Sequence, residues 1–560
     1  MPIWTRLYGC ILGVLFTACG QGADSEGPAP QDKPSQGILF RWSAAPPGGL
    51  CEDGGTAVQF GADTNANNVL DDEEVTRTTH TCHGTARTEV VPGTKVLLHL
   101  EAEVIGTNCY YGGTSVRTGI DTNGNGILET AEATQTEFVC SSAPPYATGW
   151  AASSPNGITS GLAPIGFWVP SGRKVTIFKA SPSSQLKITV SDSLISGHLV
   201  NGGQSTYEVR MNGGRMSPAC YQTQYTWNAM GWSTSFSFPF STVCLTDQLP
   251  VGLYEFETWI FASTGQAGVG YGVSQPLVLV EELTQAANYG SSTSGSTFET
   301  TNTVFQRAPG RSVSYQKKTQ TSLLKITLAD TLRTGYNQNH GVGTVMVRID
   351  NTNTACFTGK HNAQGTGSDI ATPFVMTCIL QGISSGNHTF SVWLRADSGG
   401  GTLLGWERSY PLLLVEELPN QNITYTQNTS ASGEVGGDWS ILSGRSLIHS
   451  ISASGKTLRV TYSDTFRPTA GCNDYYGFYQ LYIDGQPSRC INSQMAYNSA
   501  GTYQDHHHPI NQVCLFKNLS QGPHSFAIAS TTRQNNGTTC GTNHFGWNRG
   551  QPLLLIEELP

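Results

Sequence analysis

The sequence predicts an all-β protein: two small disulfide-closed β units followed by three homologous antiparallel β-sandwiches of jelly-roll type. Three observations carry this. Charged residues make up only 13% of the 560 residues, while glycine alone supplies 64; that composition favours short strands joined by turns over long helices. Apolar and polar residues alternate with the period of half-buried strands. The chain also contains two families of internal repeats, which organise everything after the N-terminal segment.

The N-terminal stretch "MPIWTRLYGCILGVLFTACG" stands apart from the fold. It has one Arg, an apolar run from Ile11 to Phe16, and small residues before Cys19. It resembles a bacterial lipoprotein signal, with Phe16-Thr17-Ala18-Cys19 as the lipobox. The resemblance implies a leader over 1–18, cleavage before Cys19 and lipidation of that thiol. Residues 19–37, rich in Gly, Pro and polar residues, read as a flexible tether. The expected location is the cell envelope, exposed outside the cytoplasm on a bacterial membrane or cell surface, with membrane contact through the lipid alone. No other long apolar run predicts a membrane-crossing helix.

The first repeat family is short. "CEDGGTAVQFGADTNANNVLDDEEVTRTTHTC" (51–82) and "CYYGGTSVRTGIDTNGNGILETAEATQTEFVC" (109–140) share their Gly-Gly, Gly-x-Asp and Glu positions. A β-like run precedes each, giving units over 38–83 and 95–142. Units this small bury little apolar surface and need covalent support. Equal spacing assigns the disulfides Cys51–Cys82 and Cys109–Cys140.

The second family occurs three times, over 146–284, 287–419 and 422–560. Each copy ends in the same apolar strand: "PLVLVEEL" (276–283), "PLLLVEEL" (411–418) or "PLLLIEEL" (552–559). Each has a Gly-Arg opening at Arg173, Arg311 or Arg445, and a strand ending in Asp192, Asp330 or Asp464. Each has a cysteine pair, assigned as Cys220–Cys244, Cys356–Cys378 and Cys490–Cys514; the third copy adds Cys472–Cys540. The copies are long enough for about eight strands, which favours a jelly roll over the shorter immunoglobulin-like sandwich. Within the closing strands, one Glu is expected to face solvent. The other is expected to pair with the recurrent Arg173, Arg311 or Arg445. The recurrent Asp residues read as turn caps.

Of the 14 cysteines, Cys10 falls in the leader and Cys19 takes the lipid. The remaining even number fits disulfides in an oxidising compartment.

The loops "DTNANNVLDDEE" (63–74) and "DTNGNGILETAE" (121–132) place oxygens at the spacing of an EF-hand calcium loop. The ligands would be Asp63, Asn65, Asn67, the Val69 carbonyl, Asp71 and Glu74 in the first. In the second they would be Asp121, Asn123, Asn125, the Ile127 carbonyl, Glu129 and Glu132. Asn68 and Gly126 occupy the sharply turning sixth position. The residues after each loop alternate like strands, so these are EF-type loops inside β units and not helix–loop–helix hands. The alternative is a metal-free turn closed by its own side chains. If calcium binds, it is structural and weak, with Kd about 10⁻⁴ to 10⁻³ M as in extracellular modules. The pattern Cys-x-x-Gly-Gly…Gly-x-Asp-x-Asn-x-Asn…Leu-x-x-x-Glu…Cys, over 38–142, resembles a small cysteine-framed repeat of predicted bacterial surface lipoproteins. That resemblance implies surface location and modular architecture, and no activity.

Function is less directly written. The net charge is −9 without a basic block, so nucleic acid is not an expected partner. No metalloprotease, phosphate-loop or nucleophile-elbow motif appears, and no enzyme is predicted. "DHHHP" (505–509) reads as a polar exposed loop; the alternative is a transition metal shared by alternate residues among His506, His507 and His508, helped by Asp505. Tyr271, Trp406 and Trp547 share one repeat position. They serve either as core plugs or as surfaces that stack on sugar rings, as do Trp227, Trp232, Tyr475 and Tyr476. The leading expectation is multivalent binding of an extracellular glycan or protein ligand. The runner-up is an envelope coat component without a discrete ligand, and a secreted hydrolase comes third.

Overall fold

The computed structural model describes residues 38–559, except 83–95, 104–112, 141–148, 155–161, 228–233, 271–273, 284–287, 363–368, 429–432, 470–474, 497–506, 535–540, 547–549 and some shorter stretches. Cys19, Asp63, Cys109, Tyr271, Cys472, Cys540 and Trp547 lie outside the described residues, as do the side chains of Cys82, Trp227 and Tyr475. The described residues form an all-β structure. Their only helical element is one short 3₁₀ turn, so none of them forms a helix long and apolar enough to cross a membrane. The chain divides into two compact units, one holding the short repeats and one the long repeats.

In the first unit, β1 (Ile38–Ala45), β2 (Gly55–Ala62) and β3 (Arg77–Cys82) form one antiparallel sheet. The strands β4 (Val96–Glu103), β5 (Gly113–Ile120) and β6 (Ala133–Cys140) form a second. The Asp/Asn loops join β2 to β3 and β5 to β6, so each loop runs into a strand. The Gly of the Gly-x-Asp motif has a steric cause. A Cβ on Gly61 would lie 1.8 Å from the Glu74 carbonyl oxygen, and one on Gly119 2.0 Å from that of Glu132. Only glycine lets the loop's end close onto its start. Cys51 and Cys140 are each disulfide-bonded.

The second unit begins with β7 (Trp150–Ser153), β8 (Trp168–Lys179), β9 (Gln185–Val200), β10 (Gly203–Met211), β11 (Gly214–Trp227), β12 (Thr234–Leu245), β13 (Gly252–Thr264), the short β14 (Gln266–Val269) and β15 (Leu277–Leu283). The middle repeat comprises β16 (Tyr289–Ser292), the short β17 (Phe298–Thr300), β18 (Gln306–Lys317), β19 (Leu323–Ile349), β20 (Ala355–Asn362), β21 (Asp369–Leu380), β22 (Gly386–Leu404) and β23 (Leu412–Leu418). The last comprises β24 (Ile423–Gln427), the short β25 (Gly433–Gly436), β26 (Ser440–Ile451), β27 (Thr457–Thr469), β28 (Tyr475–Ile483), β29 (Gln486–Ala496), β30 (His508–Phe516), β31 (Gly522–Gln534), the short β32 (Thr542–Phe545) and β33 (Leu553–Leu559).

Leaving aside the short strands, each repeat has two facing sheets. In the first repeat they are β7-β15-β9-β12 and β8-β13-β10-β11; in the last they are β24-β33-β27 with β30, and β26-β31-β28-β29. The long β19 serves both sheets of the middle repeat, pairing β23 and β21 through its first half and β20 and β22 through its second. In ordinal terms the sheets run one-eight-three-six and two-seven-four-five, the connectivity of a jelly roll. Disulfides Cys220–Cys244, Cys356–Cys378 and Cys490–Cys514 tie the fifth strand to the sixth across each sandwich, with Cα separations of 5.8, 6.0 and 5.9 Å.

The three sandwiches share their sheets. The fifth strand of the first repeat pairs with the sixth of the second, Tyr225 opposite Ala371. The fifth strand of the last pairs with the sixth of the first, Ala496 opposite Phe236. A bridge between His361 and His507 makes the third junction. The pairing is cyclic, so the last repeat closes back on the first.

This closure explains the apolar run of the last strand in each copy. Val278 and Val280 enter their own sandwich core, while Leu277 and Leu279 pack with Val513 of the last repeat. Leu553 and Leu555 likewise leave their own core to meet Leu323 and Ile379. A strand buried on both faces loses the alternation of a half-exposed one.

Candidate functional site

Three constellations of charged or aromatic residues stand out, and each is built by equivalent positions of the repeats.

The first is the buried ion pairing. Arg173 Nε donates to Asp192 at 2.6 Å, Arg311 to Asp330 at 2.7 Å and Arg445 to Asp464 at 3.2 Å, with all six side chains almost fully buried. The expected Arg–Glu pairing is therefore incorrect, and the Asp residues are not surface turn caps. Each Asp lies within the third strand, and its Arg stands on the second. Its other oxygen accepts the next residue's N–H: Ser193, Thr331 or Thr465. Burial pushes the Asp192 and Asp464 carboxyls up, against the pull of Arg173 and Arg445.

The two Glu residues of each closing strand part ways. The second accepts backbone N–H groups of a neighbouring turn: Glu282 from Ala180 and Ser181, Glu417 from Lys318 and Thr319, Glu558 from Ser452. The first joins a ring where the three repeats meet. Lys187 lies 3.1 Å from Glu281 of its own repeat and 2.7 Å from Glu416 of the next. Lys325 lies 3.6 Å from Glu416 and 2.9 Å from Glu557. Arg459 lies 2.7 Å from Glu557 and pairs with Glu281, completing the circle. Burial alone would raise the Glu416 carboxyl, but Lys187, Lys325 and Arg459 hold it down at about 2. The ring borders a cavity of about 30 Å³ lined also by Thr189, Thr327 and Thr461. That is room for about one water and not for an organic substrate.

The second constellation is the pair of EF-type loops. In loop two, Glu132 accepts from the Thr122 N–H and hydroxyl at 2.9 and 2.7 Å, and from the Glu129 N–H. Asp121 accepts from the N–H groups of Gly124, Asn125 and Gly126. Asn123 and Asn125 turn their amide nitrogens to Glu129, while their oxygens accept N–H groups two residues on. Loop one repeats the scheme: Glu74 accepts from Thr64 and Asn65, and Asn65 and Asn67 donate to Asp71. The Thr122 hydroxyl leads the interactions that hold the Glu132 carboxyl at about 2, and Thr64 lowers Glu74 in the same way. The donors have the hard-oxygen chemistry of a calcium site. The loops as described spend those oxygens on themselves, and among the described residues no three carboxylates or imidazoles converge on one point. Calcium would have to displace the Asn contacts with Glu129 and Asp71.

The third constellation lies on the outer face of each two-seven-four-five sheet, and sequence reasoning missed it. In the first repeat, the Arg210 guanidinium lies 4.0 Å from the Trp259 ring centroid and 5.2 Å from that of Trp168. In the second, Arg348 lies 4.4 Å from Trp393 and 5.2 Å from Phe305, with Arg395 4.6 Å from Phe305. In the third, Trp439 meets Phe478 and Tyr482, and Phe478 stacks on Tyr476. Arg210, Arg348 and Tyr482 share one position of the fourth strand; that recurrence was the available signal. Arg210 is neutralised by Glu208 at 3.2 Å, whereas Arg348 has Met346 in that place.

The aromatic positions singled out from sequence fare differently. Trp406 is half-buried at a junction between repeats, against Tyr225 of the first repeat and Arg333. His507 and His508 are fully buried, which corrects the reading of "DHHHP" as exposed. They flank the start of β30, where the last repeat meets the second, and His508 packs on Phe238.

Two Ser-His-Asp groupings call for a chemical reading. His524 Nδ1 lies 2.6 Å from Asp484, and its Nε2 lies 3.2 Å from Ser520 Oγ; His388 repeats this with Asp350 and Ser384. Each Nε2 also lies 2.9 Å from the Ser backbone carbonyl, an acceptor only, so it must donate there. A ring that donates from Nε2 cannot take the serine proton. The first repeat makes the same bonds without these residues: Asn212 accepts the Glu255 N–H, and Tyr254 donates to the Pro250 carbonyl. These groupings are turn clamps.

Residues 39–82 and 96–140 match a family described as "Domain of unknown function (DUF7151)". The match falls on the two short repeats and leaves the three sandwiches unassigned. No curated protein matches the chain. A solved structure titled "The Triple Jelly Roll Fold and Turret Assembly in an Archaeal Virus" aligns over 73% of this chain and 91% of its own, at 12% identity and a TM-score of 0.14. So low a score carries no functional argument.

Proposed function

We propose that this chain is a lipid-anchored bacterial surface protein that binds an extracellular glycan through the outer faces of its three jelly rolls, held on a stalk that calcium stiffens. The observation that carries the reading is the recurrence of an aromatic ladder on all three outer sheets, half-buried at positions where polar residues usually stand. Flat aromatic rings, flanked in the first two repeats by guanidinium groups, suit the alternating apolar faces and hydroxyls of sugars. Three such faces on one chain would reinforce one another on a repetitive polymer. Binding is favoured over catalysis because the convergent charged groups are satisfied by one another in a water-sized space, and the His-Asp pairs are clamps.

The test is a glycan array probed with the full chain and with Trp259→Ala, Trp393→Ala and Trp439→Ala, alone and combined. The expected result is a modest loss for each single variant and about 10²-fold or greater loss for the triple, as avidity requires. An array with no bound glycan, from a correctly folded chain, would favour the envelope-coat reading.

A further inference from the structure

The three junctions between repeats are built from equivalent positions, yet they are not filled alike. At the junction of the second and third repeats, Tyr425 and Gln427 of the first strand reach across: the Tyr425 hydroxyl bonds Gln381, and Gln427 bonds both the N–H and carbonyl of Ile379. At the junction of the first and second repeats, the buried Tyr410 fills the space, its hydroxyl directed at the Leu245 carbonyl. Strand registers align these positions. Ala152 and Tyr425 both sit opposite the third residue of the closing strand, Leu279 and Leu555. Gln275 and Tyr410 each donate a backbone N–H to the fifth strand of the neighbouring repeat, at Ile491 and Tyr221.

At the third junction, where the last repeat closes on the first, the residues in these places are Ala152, Ser154 and Gln275. What remains is a cleft of about 780 Å³. Its apolar wall includes Leu277, Val513 and Leu515, and its rim carries Arg489 and Lys517. Lys517 stands over the Trp150 ring at 5.4 Å, and among the described residues neither cation has a carboxylate partner. Two uncompensated cations beside one apolar cleft are notable in a chain of net charge −9. The volume falls in the range of small-molecule sites, about 300–1,000 Å³.

We infer that this junction is a binding site for a small anionic amphiphile, a carboxylate with an alkyl or aryl body. The body lies against Leu277, Val513 and Leu515, and the carboxylate is held by Arg489 and Lys517. The site is independent of the outer faces and of any glycan.

The test is calorimetric titration of the full chain with decanoate below its micelle concentration, beside 1-decanol and butyrate. One saturable decanoate site is expected, with decanol and butyrate each at least tenfold weaker. Ala152→Tyr with Ser154→Gln, which installs the residues that close the second-to-third junction, should abolish binding. Arg489→Gln with Lys517→Gln should weaken decanoate at least tenfold and leave decanol unchanged. No decanoate binding, equal binding of decanoate and decanol, or binding that survives the filled variant would overturn the inference. Should the filled variant fail to fold, the rim variant decides alone, since both its side chains are exposed.

Discussion

Glu281 and Arg459 are 178 residues apart in the chain and form a buried ion pair that joins the first repeat to the last. It closes a ring in which each basic residue is shared between its own repeat's Glu and the next one's. Removing one partner from a buried pair strands the other charge and costs about 3–5 kcal/mol. Arg459→Met should therefore destabilise the sandwich unit by about that much. Adding Glu281→Gln should recover part of the loss, although Glu557 also loses its bidentate partner. Denaturant unfolding of both variants checks this. Additive losses would show that the two residues do not act as one network.

The same ring sets an acid limit. Glu416 is held at about 2, and Glu281 and Glu557 are also lowered, burial opposing and the ring cations prevailing. Carboxyls depressed in the folded state stabilise it above their unfolded pKa of about 4.5, and that contribution is lost as pH falls through the folded value. Stability of the sandwich unit should thus decline between pH about 4.5 and 2. Unfolding midpoints measured across pH 2–7 test it, and a flat profile in that window would contradict the ring's role.

Asp330→Asn should leave Arg311 charged, buried and unpaired, at a cost of about 3–5 kcal/mol. Because sheets run from one sandwich into the next, the loss should lower a single cooperative transition of all three repeats. A calorimetric scan that instead shows one repeat melting early would contradict the coupling.

Calcium titrated into the full chain should give saturable heat in the range of 10⁻⁴ to 10⁻³ M and raise the melting of the short-repeat unit. Glu74→Gln and Glu132→Gln together should abolish both effects. Absence of heat at millimolar calcium would leave the loops as turns closed by their own hydrogen bonds.

Much of this architecture is legible in the chain. Repetition exposed the strands, the cysteine pairs Cys220–Cys244, Cys356–Cys378 and Cys490–Cys514, and the strand that follows each Asp/Asn loop. What could not be read was partner choice among recurrent charges. Arg173 recurs with both Asp192 and Glu281, and periodicity does not say which lies across the sandwich and which lies at the meeting point of repeats. The basic residue inside "LKITV", "LKITL" and "LRVTY" was a visible clue, since a strand buried on both faces carries a cation there only if carboxylates meet it. The burial of His507 and His508 was hidden for a related reason. Their polar neighbours describe a loop, while the repeat-to-repeat junction that covers them is a long-range event. The outer aromatic ladders were obscured because Trp, Arg and Tyr substitute for one another at the shared position.

Three identical chains arranged around an axis must present three identical junctions. Here the copies are fused, so each junction is encoded separately and can change without the others. One has Tyr410, one has Tyr425 with Gln427, and one has been left open by Ala152 and Ser154. Covalent linkage thus converts a symmetric framework into a singular one: among the described residues the gap lies at one junction, where a true trimer would repeat it at all three. A permuted chain that begins with the second repeat and ends with the first would keep every ring contact, and would keep that gap at the same pair of repeats, now joined in sequence.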